Sequence, residues 1–269
     1  ANGSRAFAMN VNQHNRLAWD RLVEKEDRWT IPADAQTIAA AKAGVWQIGL
    51  TPSRRVPTEW LGDVVGKNIL CLASGGGQQG PILAAAGAKV TVLDQSPAQL
   101  SHDALVAARE MLELETVEGD MAKLSMFRAN TFDIVFHPAS NCFAPDINSV
   151  WREAHRVLKP GGVLLAGFVN PLVFLFDRDA ERPEDLRVTH ALPYSDVEDL
   201  PPERLQKLIA DAEPLMWSHS LDDQIGGQLA AGFVVTGFYE DYHAGSPLAE
   251  FCPTTLATCA VKPKGRSKK

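Results

Sequence analysis

Short apolar runs and helical stripes alternate through the middle of this chain. Residues 68–73 (Asn-Ile-Leu-Cys-Leu-Ala) are a nearly unbroken apolar run between turn signals, the pattern of a strand buried on both faces. Residues 89–94, 116–120, 132–137 and 163–168 repeat that pattern and predict four more strands. Helical spacing fills the gaps. One helix follows three glycines and runs to Ala86. A second opens with Ser96 as cap and Pro97 at the first position, then shows Leu100, Ala104, Leu105, Ala108, Met111 and Leu112. A third carries Ile147, Val150, Trp151, Ala154, Val157 and Leu158 and stops at Lys159-Pro160-Gly161-Gly162. Strands and helices alternating at this length imply right-handed βαβ units and a mainly parallel sheet. The order changes after residue 219. A helix over 220–231, with Ser220 and Asp223 placed as a capping box and Gly232 as its end, precedes two strands, 233–239 and 255–261. These read as an antiparallel addition to the sheet.

The flanks are less regular. Residues 12–29 read as an amphipathic helix with Leu17, Leu22 and Val23 on its apolar face and Trp19 near it, and 33–43 as a second helix. Residues 44–62 hold prolines and glycines and read as a loop. The chain therefore divides into a leader or tag at 1–9, an N-terminal helical cap at 10–60, and a core at 61–269 interrupted by an insertion at 169–219. The insertion reads either as a solvated connector or as a lid. It leaves the carboxyl end of a central strand, where ligands bind in open α/β sheets.

Composition narrows the function classes. With 269 residues, 45% of them hydrophobic, the chain can bury one sizeable α/β core. A net charge of −7 argues against broad binding to nucleic-acid phosphates. The longest apolar stretch, 161–176, is broken by Asn170-Pro171 and falls short of the ~20 residues of a membrane-spanning helix. Four cysteines without a Cys-x-x-Cys pair or zinc spacing suit a reduced, cytoplasmic protein without a metal centre.

Gly75-Gly76-Gly77-Gln78-Gln79-Gly80 lies between a strand and a helix, so main chain approaches a ligand there or turns tightly. Asp94 ends the second strand, where a carboxylate accepts the vicinal hydroxyls of a ribose. The pair points to an adenosine-containing ligand, either NAD or S-adenosylmethionine. Gly119-Asp120-Met121 ends the third strand, where an acid can accept an adenine amino group. The most specific string is His155-Arg156-Val157-Leu158-Lys159-Pro160-Gly161-Gly162 before a hydrophobic strand.

In order and spacing, residues 69–77, 92–94, 119–121, 132–135 and 156–162 resemble the class I S-adenosylmethionine-dependent methyltransferases, nearest the ubiquinone/menaquinone C-methyltransferase-like group. The resemblance covers residues 60–262. It implies a doubly wound, mainly parallel seven-stranded Rossmann-like α/β sheet with an antiparallel C-terminal hairpin. It also implies S-adenosyl-L-methionine as cofactor and methyl transfer to a small-molecule acceptor by in-line displacement. Carried onto this chain, Ala73, Ser74, Gly75, Gly77 and Gln78 would pass the methionine part. Asp94, Gln95 and Ser96 would hold the ribose, and Gly119, Asp120 and Met121 the adenine. His137 and Pro138 would open toward the methyl group. His137, then His14, are the candidate general bases. Asn141, Phe143 and Asn170 would contact the acceptor. Trp19, Trp29, Trp46 and Trp60 read as glue between cap and sheet, or else as a shield for the sulfonium. Two positions depart from the family: Ala73 stands where glycine is usual, and Cys71 where an acid is common. Ala73 then needs a negative φ, and Ser74, Gln78 or Gln79 must hold the amino-acid end of the cofactor. An NAD-linked oxidoreductase and a non-catalytic S-adenosylmethionine-binding module are the competing readings.

Overall fold

Four of the apolar runs in the first half of the chain become parallel strands because each is flanked by a helix that covers one face. In the computed structural model, which describes residues 10–177 and 179–265, they belong to one seven-stranded sheet. The elements in chain order are α1 (Val11–Glu24), α2 (Ala35–Lys42), α3 (Thr58–Leu61), β1 (Asn68–Leu72), α4 (Gln79–Ala85), β2 (Lys89–Asp94), α5 (Pro97–Glu110), β3 (Leu114–Glu118), β4 (Phe132–His137), α6 (Ile147–Val157) and β5 (Leu158–Val169). Then come α7 (Asp196–Asp199), α8 (Pro202–Ala210), α9 (Gly227–Ala230), β6 (Val234–Asp241) and β7 (Thr255–Val261). The strand order is β3-β2-β1-β4-β5-β7-β6. β1 to β5 run parallel, and β7 lies antiparallel between β5 and β6. The carboxyl ends of β1 to β6 therefore share one edge. The first nine residues and Arg178 lie outside the described residues.

Helix ends follow local chemistry. Ser96 Oγ accepts the Gln99 N–H at 3.1 Å and Pro97 opens α5. Asp146 caps α6 by accepting the Asn148 N–H at 2.9 Å, a contribution of about 1 kcal/mol. Behind α6, Trp151 is wholly buried with Val150, Ala154 and Val157 against Leu70, Val135 and Leu164. Ser220 Oγ does accept the Asp223 N–H at 3.0 Å, but Asp223 accepts the Ser220 hydroxyl in return rather than its backbone N–H, so half of the expected box forms, and the helix begins as a π turn over Asp222–Gly226 before α9.

Three local expectations need correction. The third strand ends at Glu118, so Gly119 and Asp120 belong to the following loop. α1 stops at Glu24, leaving Trp29 outside it. Its inward face is also not the expected one: Leu17 is exposed, while Asn15 and Ala18 are buried. Asn15 can be buried because both halves of its amide are paired with Leu215, Nδ2 to the carbonyl at 3.0 Å and Oδ1 from the N–H at 2.8 Å.

Candidate active site

β2 and β3 deliver Asp94 and the Asp120 loop to one edge because they are parallel and adjacent, with Asp94 paired to Glu118 across the ladder. The Gly119 N–H donates to the Asp94 carbonyl at 2.9 Å, which fixes the loop beside the strand tip. Both acids line a single cleft of about 970 Å³ at that edge. Ala73, Ser74, Gly75, Gln78, Gln95, Gly119, Met121, Pro138 and Phe143 line it too. A volume at the top of the usual range of about 300–1,000 Å³ leaves room for a cofactor and a second small molecule.

Asp94 is anchored from both sides. Its Oδ2 accepts the Gly75 N–H at 2.9 Å and its Oδ1 the Ser96 N–H at 2.9 Å, so the acid and the glycine turn are one unit. Burial pushes its carboxyl above the ordinary value, with the N–H groups of Ser96, Gly75 and Gln95 working against that rise. Asp120 accepts the Ala122 N–H at 2.9 Å on Oδ1 and the Asn12 amide at 2.9 Å on Oδ2. Asn12, on α1, was not foreseen. Deeper under the turn, Asp103 of α5 is fully buried, and neither carboxyl oxygen has a hydrogen-bond partner among the described residues. Burial raises its pKa to about 7; the N–H dipoles of Gly77 and Gly76 lie near enough to oppose the rise without making hydrogen bonds to it, and the charge of Asp94 adds to it.

Ala73 does not have the negative φ expected of it: φ is +48°, the left-handed region where a Cβ is strained. The chain meets the turn's geometric demand with strain. Of the three polar side chains expected to replace an acid at Cys71, two are committed elsewhere. Gln78 Nε2 donates to the carbonyls of Trp29 (3.2 Å) and Ile31 (2.9 Å), and Gln79 Oε1 accepts the Gly49 N–H at 3.3 Å.

Six expected site residues do not reach the cleft. A Cβ on Gly77 would come within 2.8 Å of the His102 carbonyl, so this glycine serves packing of the turn onto α5. Ser96 is buried as a cap, its hydroxyl donating to Asp20 Oδ1 at 2.6 Å. His137 is fully buried, Nδ1 lying 2.9 Å from the Leu72 carbonyl and Nε2 2.7 Å from the Asn141 side chain. Burial lowers its pKa, with the hydrogen bonds to Leu72 and Asn141 working against that fall. Asn141 is equally buried and continues to Gln224 at 2.7 Å, so the pair ties β4 to the π turn. Asn170 caps the turn after β5 and donates to the Pro253 carbonyl at 2.8 Å. His14 also stands off the cleft, its Nε2 2.8 Å from the Glu213 carbonyl. Neither proposed base faces the site.

The missed lining comes from the chain before the sheet and from the insertion. Residues 49–52 lie over the ends of β4 and β5: the Ala139 N–H donates to the Leu50 carbonyl at 3.0 Å, and a Cβ on Gly167 would collide with that carbonyl. Trp19 meets Phe143 edge to face at 5.2 Å, and both line the cleft. Trp29 lines it as well, whereas Trp60 stacks on Tyr239 and Trp46 packs on the core, so only the latter pair acts as glue. Val169, Val173 and Met216 bring the two ends of the insertion to the wall. Arg28, Arg55 and His243 line the cleft too. No signal in residues 44–62 marked their approach to the cleft, because they are held there by long-range backbone bonds.

Fold, cleft and sequence together place the protein in a class. The chain belongs to the class I S-adenosylmethionine-dependent methyltransferases: residues 70–166 match the family model described as a methyltransferase domain. It is 51% identical over 249 residues to the "Uncharacterized methyltransferase YbaJ" of Bacillus subtilis (strain 168), spanning 93% of this chain and 97% of that one. It is 35% identical over 106 residues to a sterol 24-C-methyltransferase of Gibberella zeae, which covers 38% of this chain and only 28% of that enzyme. The crystal structure of an S-adenosylmethionine-dependent methyltransferase from Mesorhizobium loti superposes with a TM-score of 0.58 at 17% identity, over 76% of this chain and 94% of that one. The protein is thus a methyltransferase enzyme using S-adenosylmethionine, and the oxidoreductase and non-catalytic readings fall away. No described helix is long and apolar enough to cross a membrane.

Proposed function

We propose that this methyltransferase acts on a small molecule held in the cleft between the sheet edge, the N-terminal segment and the insertion at 169–219. The observation carrying the proposal is the shape of the site. Trp19, Phe143, Val173 and Met216 wall it from α1, the loop after β4 and both ends of the insertion, which suits an enclosed ligand better than a polymer.

The residues present fit the cofactor. Two carboxylates at neighbouring strand ends open to one cleft, beside a turn that runs close to it. Asp94 would hold the ribose hydroxyls, Asp120 and Met121 the adenine, and the main chain at Ala73, Ser74 and Gly75 the amino-acid part. Bound S-adenosylmethionine supplies a methyl group already activated on a sulfonium and open to in-line displacement. The chain's own task is to align the acceptor and exclude water. Among the described residues the imidazole lining the cleft is His243, and its Nε2 accepts from Arg28 Nη2 at 2.9 Å. A guanidinium only donates, so that nitrogen's lone pair is occupied and His243 is a donor through Nδ1. Alignment, with no general base, is therefore the proposed source of catalysis. Val173 and Met216, at the two ends of the insertion, wall the cleft, which supports reading the insertion as a lid, and the four free thiols support a reducing, cytoplasmic setting.

The test is transfer of labelled methyl from S-adenosylmethionine into a cell extract, followed by ultrafiltration. Enzyme-dependent label in the small-molecule filtrate supports the proposal. Label retained only with protein or nucleic acid contradicts it.

A further inference from the structure

Charges of both signs line the cleft: Asp94, Asp120 and Asp146, with Lys123 4.0 Å from Asp120, and two guanidiniums. The carboxylates Asp94 and Asp120 stand at the ends of β2 and β3, at one side of the sheet. The guanidiniums of Arg28 and Arg55 line the same cleft. The segment carrying Arg55 is fastened to the end of β6, where Asp241 accepts the N–H groups of Ser53 and Arg54, each at 2.8 Å. Asp241 is thereby occupied two residues before His243, the partner of Arg28.

We infer that the methyl acceptor is an anion with an apolar body, its carboxylate or phosphate gripped by Arg55 beside Arg28. The inference rests on the small-molecule reading above. Both residues are exposed, and among the described residues no carboxylate forms an ion pair with either guanidinium, so permanently charged donors stay open to an entering anion. Neighbouring Arg54 shows the alternative: its guanidinium lies 4.4 Å over the Tyr239 ring and donates to the Glu240 carbonyl at 3.3 Å, away from the cleft lining. Arg28 is pre-set in its pose, 4.5 Å over the Trp29 ring and bonded to His243, with donors left over. The guanidinium end of Arg55 sits near Gly49, a residue of the cleft floor. S-adenosylmethionine brings one carboxylate, so two guanidiniums leave one unclaimed. Trp19, Phe143 and Met216 offer the apolar surface for the rest of the acceptor.

Calorimetry on the protein saturated with S-adenosylhomocysteine tests this with benzoate, phenyl phosphate and benzamide as probes. Benzoate and phenyl phosphate should bind about tenfold more tightly than benzamide, the effect of one charge-assisted pair. Arg55→Met should erase that preference, Arg55→Lys should keep part of it, and both should bind S-adenosylhomocysteine like the wild type. Equal binding of the three probes to the wild type overturns the inference alone. It is also overturned if Arg55→Met weakens S-adenosylhomocysteine tenfold but spares its decarboxylated analogue, since Arg55 then serves the cofactor. Failure of the wild type to bind S-adenosylhomocysteine overturns both this inference and the proposed function beneath it.

Discussion

Ala73 and Asp103 carry the residue-scale costs of the cofactor turn. A left-handed alanine costs about 1 kcal/mol, and glycine removes that strain while losing a similar amount of chain entropy. Ala73→Gly should therefore change stability by less than about 0.5 kcal/mol, while Ala73→Val, branched at a positive φ, should lose more than about 1 kcal/mol in urea denaturation. Asp103 predicts a pH effect. Its carboxyl titrates near 7 folded against 3.8 as the ordinary value, so between those values the native state holds a proton that the unfolded chain has lost. Stability should fall as pH rises from about 4 to about 7, by of order 4 kcal/mol, then level off. Denaturation of Asp103→Asn across that range should lack this slope; a slope equal to the wild type's would contradict the assignment. Asp94 was legible from its place at a strand end, but the burial of His137 was not. A histidine leaving a strand at the ligand edge looks the same in sequence whether it turns outward or, as here, inward to Leu72.

At the scale of elements, apolar runs reported β1, β2, β4 and β7 well because these strands are buried along most of their length, whereas the half-exposed edge strand β3 lies two residues earlier than its pattern suggested. β7 matches the sequence reading residue for residue at Thr255–Val261, and its hydrophobic pattern is continuous because it lies between two strands. α1 defeated the same logic. Its anchors are polar: Asn12 to Asp120, Asn15 to Leu215, and Asp20 to Ser96. A hydrophobic stripe cannot reveal a helix docked through paired amides and acids. Asn15→Ala would strand the buried carbonyl and N–H of Leu215, and should cost about 1–3 kcal/mol by thermal or chemical denaturation. Loss of under 0.5 kcal/mol, roughly the effect of an ordinary surface change, would show the cap to be loosely held.

The whole molecule is a sheet whose ligand edge is covered by chain from both outside the core and within it. Residues 49–55 and the insertion were least legible, since their positions depend on contacts such as Ala139 with Leu50 rather than on local pattern. Because the cofactor would touch β1, β2, the β3 loop and α1 together, saturation should stabilise the entire fold. At a concentration of 100 Kd the gain should be about 2.7 kcal/mol, read as a rise in Tm. The central claim is that Asp94 and Asp120 grip one nucleoside across the cleft. The crystal structure of the complex with S-adenosylhomocysteine tests it most directly. Ribose hydroxyls within hydrogen-bond reach of the Asp94 carboxylate, with adenine against Asp120 and Met121, are the expected result. A nucleoside lodged elsewhere, with Asp94 still bonded to nothing but Gly75 and Ser96, would contradict it.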